Sequence, residues 1–143
     1  MMFLLDTNVV SELRRRDKAD RNVVAWAAGR PAASMFLSAI SILEIELGAQ
    51  RVARKDTAQG AALRAWIDQQ ILTTFTGRIL AVDTAVAQSC ARLHVPDPRP
   101  ERDALIAATA LVHGLTVVTR NTADFAATGV ALINPWSDGN GAP

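Results

Sequence analysis

The chain has 143 residues, half of them apolar and a fifth charged, with 15 basic against 14 acidic side chains and a net charge of +1. That is the size of one ordinary domain, with apolar material for a core that needs neither disulfides nor a structural metal, and it argues against disorder. A balance so near neutrality excludes a global polyanion-binding surface, so any nucleic-acid contact must come from a local patch.

The single cysteine, Cys90, excludes an internal disulfide and a zinc site built on cysteines, and His94 and His113 are too few for a His-rich one. Apolar runs fall short of the ~20 residues of a membrane span. Met1 to Leu5 lacks the basic segment that opens a signal peptide. The expectation is a soluble cytoplasmic domain in which any metal is a hard cation held by carboxylates.

In chain order, Phe3-Leu4-Leu5 reads as a short buried strand that stops at Asp6-Thr7-Asn8. Val9 to Arg16 reads as a helix and Arg21 to Ala28 as a second, closed by Gly29-Arg30-Pro31. Met35-Phe36-Leu37 is the next strand. Ser41 to Arg54 and Thr57 to Phe75 are long helices, the latter with Ala61, Leu63, Trp66, Ile67, Gln70 and Ile71 at helical spacing. A strand over Ile79 to Val82 precedes a helix over Thr84 to Leu93 capped by Asp83, then a proline loop from Val95 to Pro100. Glu101 to His113 is a helix stopped by Gly114, followed by a strand at Thr116 to Thr119, a short turn at Ala123-Asp124-Phe125 and a strand at Val130 to Ile133. Strands alternating with helices predict an α/β domain with a mainly parallel sheet of about five short strands. One domain over residues 1–136 and a flexible Gly-rich tail over 137–143 are expected.

Function in such sheets gathers at the carboxyl ends of the strands. Four acids stand at strand–helix junctions: Asp6, Glu44, Asp103 and Asp124. In one cleft they would repel and raise each other's pKa unless a cation neutralised them. Mg²⁺ or Mn²⁺ suits that donor set and serves attack of water on a phosphodiester. Each acid also has an ordinary explanation: Asp6 as a helix cap, Ser41-Ile42-Leu43-Glu44 as a capping box, Asp103 and Asp124 as first-turn or turn residues. Glu46 competes with Glu44, since two positions are about 200° around a helix and only one can face a given site.

The ordered set Leu4-Leu5-Asp6-Thr7-Asn8, Glu44 four residues before Gly48, Asp103-Ala104-Leu105-Ile106-Ala107-Ala108-Thr109-Ala110, Thr119-Arg120-Asn121-Thr122-Ala123-Asp124-Phe125 and Asn134-Pro135-Trp136 resembles the PIN-domain family. Within that family the chain looks like the VapC-type and FitB-type toxin ribonucleases, over residues 2–136. The resemblance implies a three-layer α/β/α sandwich and Mg²⁺- or Mn²⁺-dependent endonucleolytic cleavage of RNA. It implies that Asp6, Glu44, Asp103 and Asp124 are the catalytic and metal-holding acids, the Gly48 spacing favouring Glu44 over Glu46. It further implies a small antitoxin whose tail blocks the site, a homodimer, and a larger toxin–antitoxin assembly.

Thr7, Asn8, Thr119 and Asn121 are short polar residues at the same edge, suited to orienting the acids or touching the scissile phosphate, and Arg120 is a candidate phosphate contact. Arg14-Arg15-Arg16 is a basic run that could guide an RNA backbone or simply be solvated. Two other functions compete with the nuclease. An aspartyl phosphatase would require an acid where Asn8 stands. A non-catalytic RNA- or protein-binding module would gain nothing from four acids facing a phosphate.

Overall fold

The computed structural model describes residues 1–137, so nearly all of the predicted tail lies outside the described residues. Five parallel strands, β1 (Phe3–Leu5), β2 (Met35–Ser38), β3 (Ile79–Leu80), β4 (Thr116–Val118) and β5 (Leu132–Ile133), lie in the order β3-β2-β1-β4-β5. The chain builds outward from β1 on one side through β2 to β3, then returns across the sheet to add β4 and β5 on the other. The switch point of this sheet is therefore the gap between β1 and β4, where the connections leave in opposite directions.

Helices cover both faces. Strands buried on both sides alternate their side chains between two cores. Phe3, Leu5 and Val118 pack with Val9, Val23, Trp26, Ile45, Ile67 and Phe75 on one face. Leu4 and Val117 pack with Ile106, Ala107, Ala110 and Phe125 on the other. The first face carries α1 (Thr7–Glu12), α2 (Arg21–Ala28), α3 (Ala39–Lys55), α4 (Thr57–Trp66) and α5 (Leu72–Thr74). The second carries α6 (Thr84–Leu93), α7 (Glu101–His113) and the single turn α8 (Thr122–Phe125). The three-layer α/β/α sandwich expected from the sequence is what forms.

Most helix starts are written locally. The side chains of Asp20, Ser38, Asp56 and Asp83 each accept from a backbone N–H in the first turn of α2, α3, α4 and α6, contacts worth about 1 kcal/mol apiece. Gly114 ends α7 at φ 68°, the left-handed conformation a side chain disfavours. Gly60 lets α4 cross tightly over α3, because a Cβ there would lie 2.5 Å from the Cα of Ala53.

Three local expectations differ. The first helix starts at Thr7 and ends at Glu12, because Asp6 caps it and the chain turns off at Leu13. The segment from Thr57 to Thr74 is a helical rod broken by a π turn at Ile67–Ile71; Gln70 lies in that turn and is exposed, as is Ala61. The capping box at Ser41 does not exist: Ser38 Oγ accepts from Ile40 N at 2.9 Å, so the helix starts a turn earlier. Ser41 is consequently inside the helix with its buried Oγ unpaired, and Glu44 is free to point elsewhere.

Candidate active site

Asp6 is the first residue beyond the central strand, and only 6% of it is exposed. Its Oδ1 accepts from Thr7 N at 2.8 Å, so the helix-cap reading is correct, but this uses only one oxygen. Oδ2 accepts from Thr119 Oγ1 at 2.8 Å and from Asn8 Nδ2 at 3.4 Å. Because Thr119 is the first residue beyond β4, this pair of contacts closes the gap between β1 and β4 at their carboxyl ends. Thr119 is wholly buried, and its hydroxyl also takes the Asn121 N–H at 3.0 Å. Asn8 completes the seam: Nδ2 reaches Thr119 Oγ1 at 3.3 Å and Oδ1 accepts from Arg120 N at 3.3 Å.

Glu44 comes from the second turn of α3. Thr7 Oγ1 donates to its Oε1 at 2.6 Å, so the first residue of α1 aims this carboxylate at the same edge. Glu46 faces away and is held by Arg64, whose two terminal nitrogens lie 2.5 and 2.8 Å from its oxygens. Arg64 also pairs with Asp68 at 2.8 Å. The two glutamates thus face different partners: α4 supplies a cation to Glu46, while the Thr7 hydroxyl holds Glu44.

Asp103 is half-buried in the first turn of α7, and Asp124 is exposed on α8. The electrostatics tie all four acids together. Burial pushes the Asp6 carboxyl above its ordinary range, hydrogen bonds from Thr119 and the Thr7 amide oppose that, and the charges of Glu44 and Asp124 add to it. Burial also raises Asp103, with further contributions from Asp6, Asp124 and Glu44. Acids whose charges raise the Asp6 and Asp103 carboxyls stand close enough for those charges to be felt there.

Of the five smaller candidates, Thr7, Asn8 and Thr119 spend their side chains on the acids, while Arg120 and Asn121 are exposed. The Arg120 guanidinium lies over the Trp136 ring at 5.2 Å. In the basic run, Arg14 sits over Trp66 at 5.8 Å, and Arg15 and Arg16 are exposed. One residue the sequence reading passed over is Arg102, whose Nη1 lies 3.9 Å from Glu44 Oε2. Nothing local marks it, because its partner belongs to another helix.

A second convergence, also missed, joins Cys90, His94 and Glu101 where α6 leads to α7. Arg99 N donates to His94 Nδ1 at 3.0 Å, which puts the proton of a neutral imidazole on Nε2, facing Glu101 Oε2 at 3.5 Å. A nitrogen carrying a proton has no lone pair for a metal. Burial and the charge of Glu101 raise the Cys90 thiol, so it stays protonated.

The fold and this edge together define an α/β domain with a cluster of acids at the switch point of its sheet. Hard carboxylate donors that repel one another, with two of them oriented by hydroxyl and amide donors, fit a divalent ion of the Mg²⁺ type. The chain belongs to the PIN-domain family, whose model matches residues 3–130. It is similar to Toxin FitB of Neisseria gonorrhoeae, at 41% identity over 96% of this chain and 100% of that protein. It is 34% identical to VapC ribonuclease Y4jK of Sinorhizobium fredii, over 94% and 98% of the two chains. The crystal structure of FitAcB from N. gonorrhoeae superposes with a TM-score of 0.86 at 38% identity, covering 94% of this chain and 99% of that one.

Proposed function

We propose that this chain is a metal-dependent endoribonuclease, the toxin of a type II toxin–antitoxin pair, acting as a single domain over residues 1–136. The observation that carries the reading is the electrostatic coupling of Asp6, Glu44, Asp103 and Asp124, gathered from four separate elements onto the switch point of the sheet. Relatives bearing ribonuclease and toxin names over nearly full length support it.

In this reading Asp6 and Asp103 are the principal ligands of Mg²⁺ or Mn²⁺, and Glu44 and Asp124 complete the set. When bound, the ion activates water and offsets charge developing on the scissile phosphate. Thr119 and the Thr7 amide fix the two oxygens of Asp6, so its free lone pairs keep one orientation. The Thr7 hydroxyl does the same for Glu44. Asn8 locks β1 to the segment after β4, which keeps the opposing acids from drifting apart. Arg120 and Asn121 stand exposed beside this seam, suited to the flanking RNA backbone.

The partner is a small antitoxin whose tail covers the acids, and the chain pairs with a second copy and joins a larger toxin–antitoxin assembly. No helix among the described residues is long and apolar enough to cross a membrane, in keeping with a cytoplasmic site of action.

Antitoxin-free protein incubated with a pool of structured RNAs should cleave with Mg²⁺ or Mn²⁺ and stop with EDTA. Asp6→Asn and Asp103→Asn, shown folded by circular dichroism, should each lose more than about 100-fold in rate, since even outer partners of a metal site are worth 10–100-fold. Folded wild type that binds RNA with metal present and never cuts it would replace this reading with a non-catalytic binding module.

A further inference from the structure

Several arginines of this protein are committed to partners within the fold. Arg64 is spent on Glu46 and Asp68, Arg78 on the carbonyls of Ala32, Met35 and Thr74, Arg99 on that of Leu93, and Arg30 on that of Trp26. Arg102 is different. Among the described residues it is the cation within ion-pair distance of any of the four acids, and its side chain is 47% exposed. At 3.9 Å its contact with Glu44 is too long for a hydrogen bond, so the guanidinium's N–H donors remain available.

Its position has a cost and no evident structural return. A cation in the first turn of a helix opposes the macrodipole, and a single long, half-exposed ion pair contributes little. Glu44 does not depend on it for orientation, because the Thr7 hydroxyl already holds the other oxygen at 2.6 Å. Asp103, the next residue, belongs to the acidic centre, so the Arg102 fork hangs at the rim of that centre.

A phosphodiester entering a well of four carboxylates meets repulsion that a divalent ion only partly offsets. A planar guanidinium at the rim, weakly held and able to turn outward, is the group that would recognise a phosphate there by paired N–H donors. We propose that Arg102 is a substrate-binding residue that leaves Glu44 to grip an RNA phosphate at the edge of the acidic centre. This rests on the nuclease reading and adds to it the group that draws RNA in against the acids.

The test compares wild type with Arg102→Ala, Arg102→Gln and Arg102→Lys, each checked for an unchanged Tm. The probe is a fluorescein-labelled pool of stem-loop RNAs with randomised loops, bound in Ca²⁺ in place of Mg²⁺ across a KCl series, then cleaved in Mg²⁺. Loss of one phosphate contact should weaken binding of the Ala and Gln variants about tenfold at low salt and lower the salt slope by about 0.7 to 0.9. KM should rise in step while kcat holds within about twofold, and Lys should restore most of the charge effect but less of the affinity than Arg.

An Ala variant that binds RNA with wild-type affinity and slope overturns the proposal. So does one whose kcat falls and whose Mg²⁺ requirement rises at unchanged affinity, which would make Arg102 a brace for Glu44. Wild type that neither binds nor cuts the pool overturns the nuclease reading and this proposal together, an outcome separate from equal binding by wild type and variant.

Discussion

Glu44 and Glu46 lie on one helix, two residues apart, and have opposite circumstances. Glu46 points to α4 and meets Arg64 through two short contacts, which hold its carboxyl below the ordinary range. Glu44 points to the switch point of the sheet, where its neighbours are Asp6, Asp103 and Asp124 and its one cation is 3.9 Å away. In the α3–α4 hairpin Glu46 and Asp68 are both met by Arg64, and the helices are in close contact. At the acidic edge, hydroxyl and amide donors hold Asp6 and Glu44 among charges of their own sign. The difference separates acids that hold the fold together from acids that the fold holds in place.

The comparison can be broken at several points. The largest effect, after the loss of cleavage in Asp6→Asn and Asp103→Asn, should come from Gly60→Ala in the hairpin. Its new Cβ meets backbone of Ala53 at 2.5 Å, so overpacking should cost about 1–3 kcal/mol. Thermal melting would register this as a clear drop in Tm, with no metal dependence.

At the acidic edge the sign reverses. Asp103→Asn removes a repelled, partly desolvated charge and should raise the Tm of metal-free protein at neutral pH, at the expense of activity. The same repulsion gives a pH signature. Asp6 and Asp103 are raised in the fold above 3.8, so the fold binds their protons more tightly than the unfolded chain does. Their stabilising effect is complete below 3.8 and is lost as pH rises through the raised values. Metal-free protein should therefore gain stability on acidification from neutrality, until Glu46, lowered from 4.5, begins to be protonated and the hairpin weakens. Millimolar Mg²⁺ should raise Tm at pH 7 and flatten that dependence in wild type but not in Asp103→Asn. A Tm indifferent to both pH and Mg²⁺ would mean the edge is not under strain.

The smallest effect belongs to Glu46→Gln. Its pair with Arg64 is partly exposed, so Tm should fall by no more than a few degrees and cleavage should be unaltered. Glu44→Gln should do the converse, sparing Tm and losing cleavage. Equal losses of cleavage in the two variants would erase the distinction.

Much of this was legible in the sequence because its causes are local. Short apolar runs become strands, Asp83 caps the helix it precedes, and Gly114 stops α7. The four junction acids were readable as a set through the order of family motifs. What stayed hidden depends on partners distant in the chain. Ser41-Ile42-Leu43-Glu44 has the pattern of a capping box, and only the earlier start of α3 at Ser38 shows that Ser41 lies within the helix. The fates of Glu44 and Glu46 are decided by Thr7 and Arg64, and Arg102 gains meaning only where α7 passes α3. The π turn left no mark in the spacing of Ile67 and Ile71.

The strand order has a consequence in time. Asp6 is translated 113 residues ahead of the hydroxyl that orients it, Thr119, and further still ahead of the acid across the gap, Asp124. Domains fold as units once their long-range pairings are available. A nascent chain can therefore pair β1 with β2 and begin its first core while the acidic centre does not yet exist. For an enzyme that cuts RNA, activity would then be withheld until the segment that carries Thr119 and Asp124 has left the ribosome and joined the sheet.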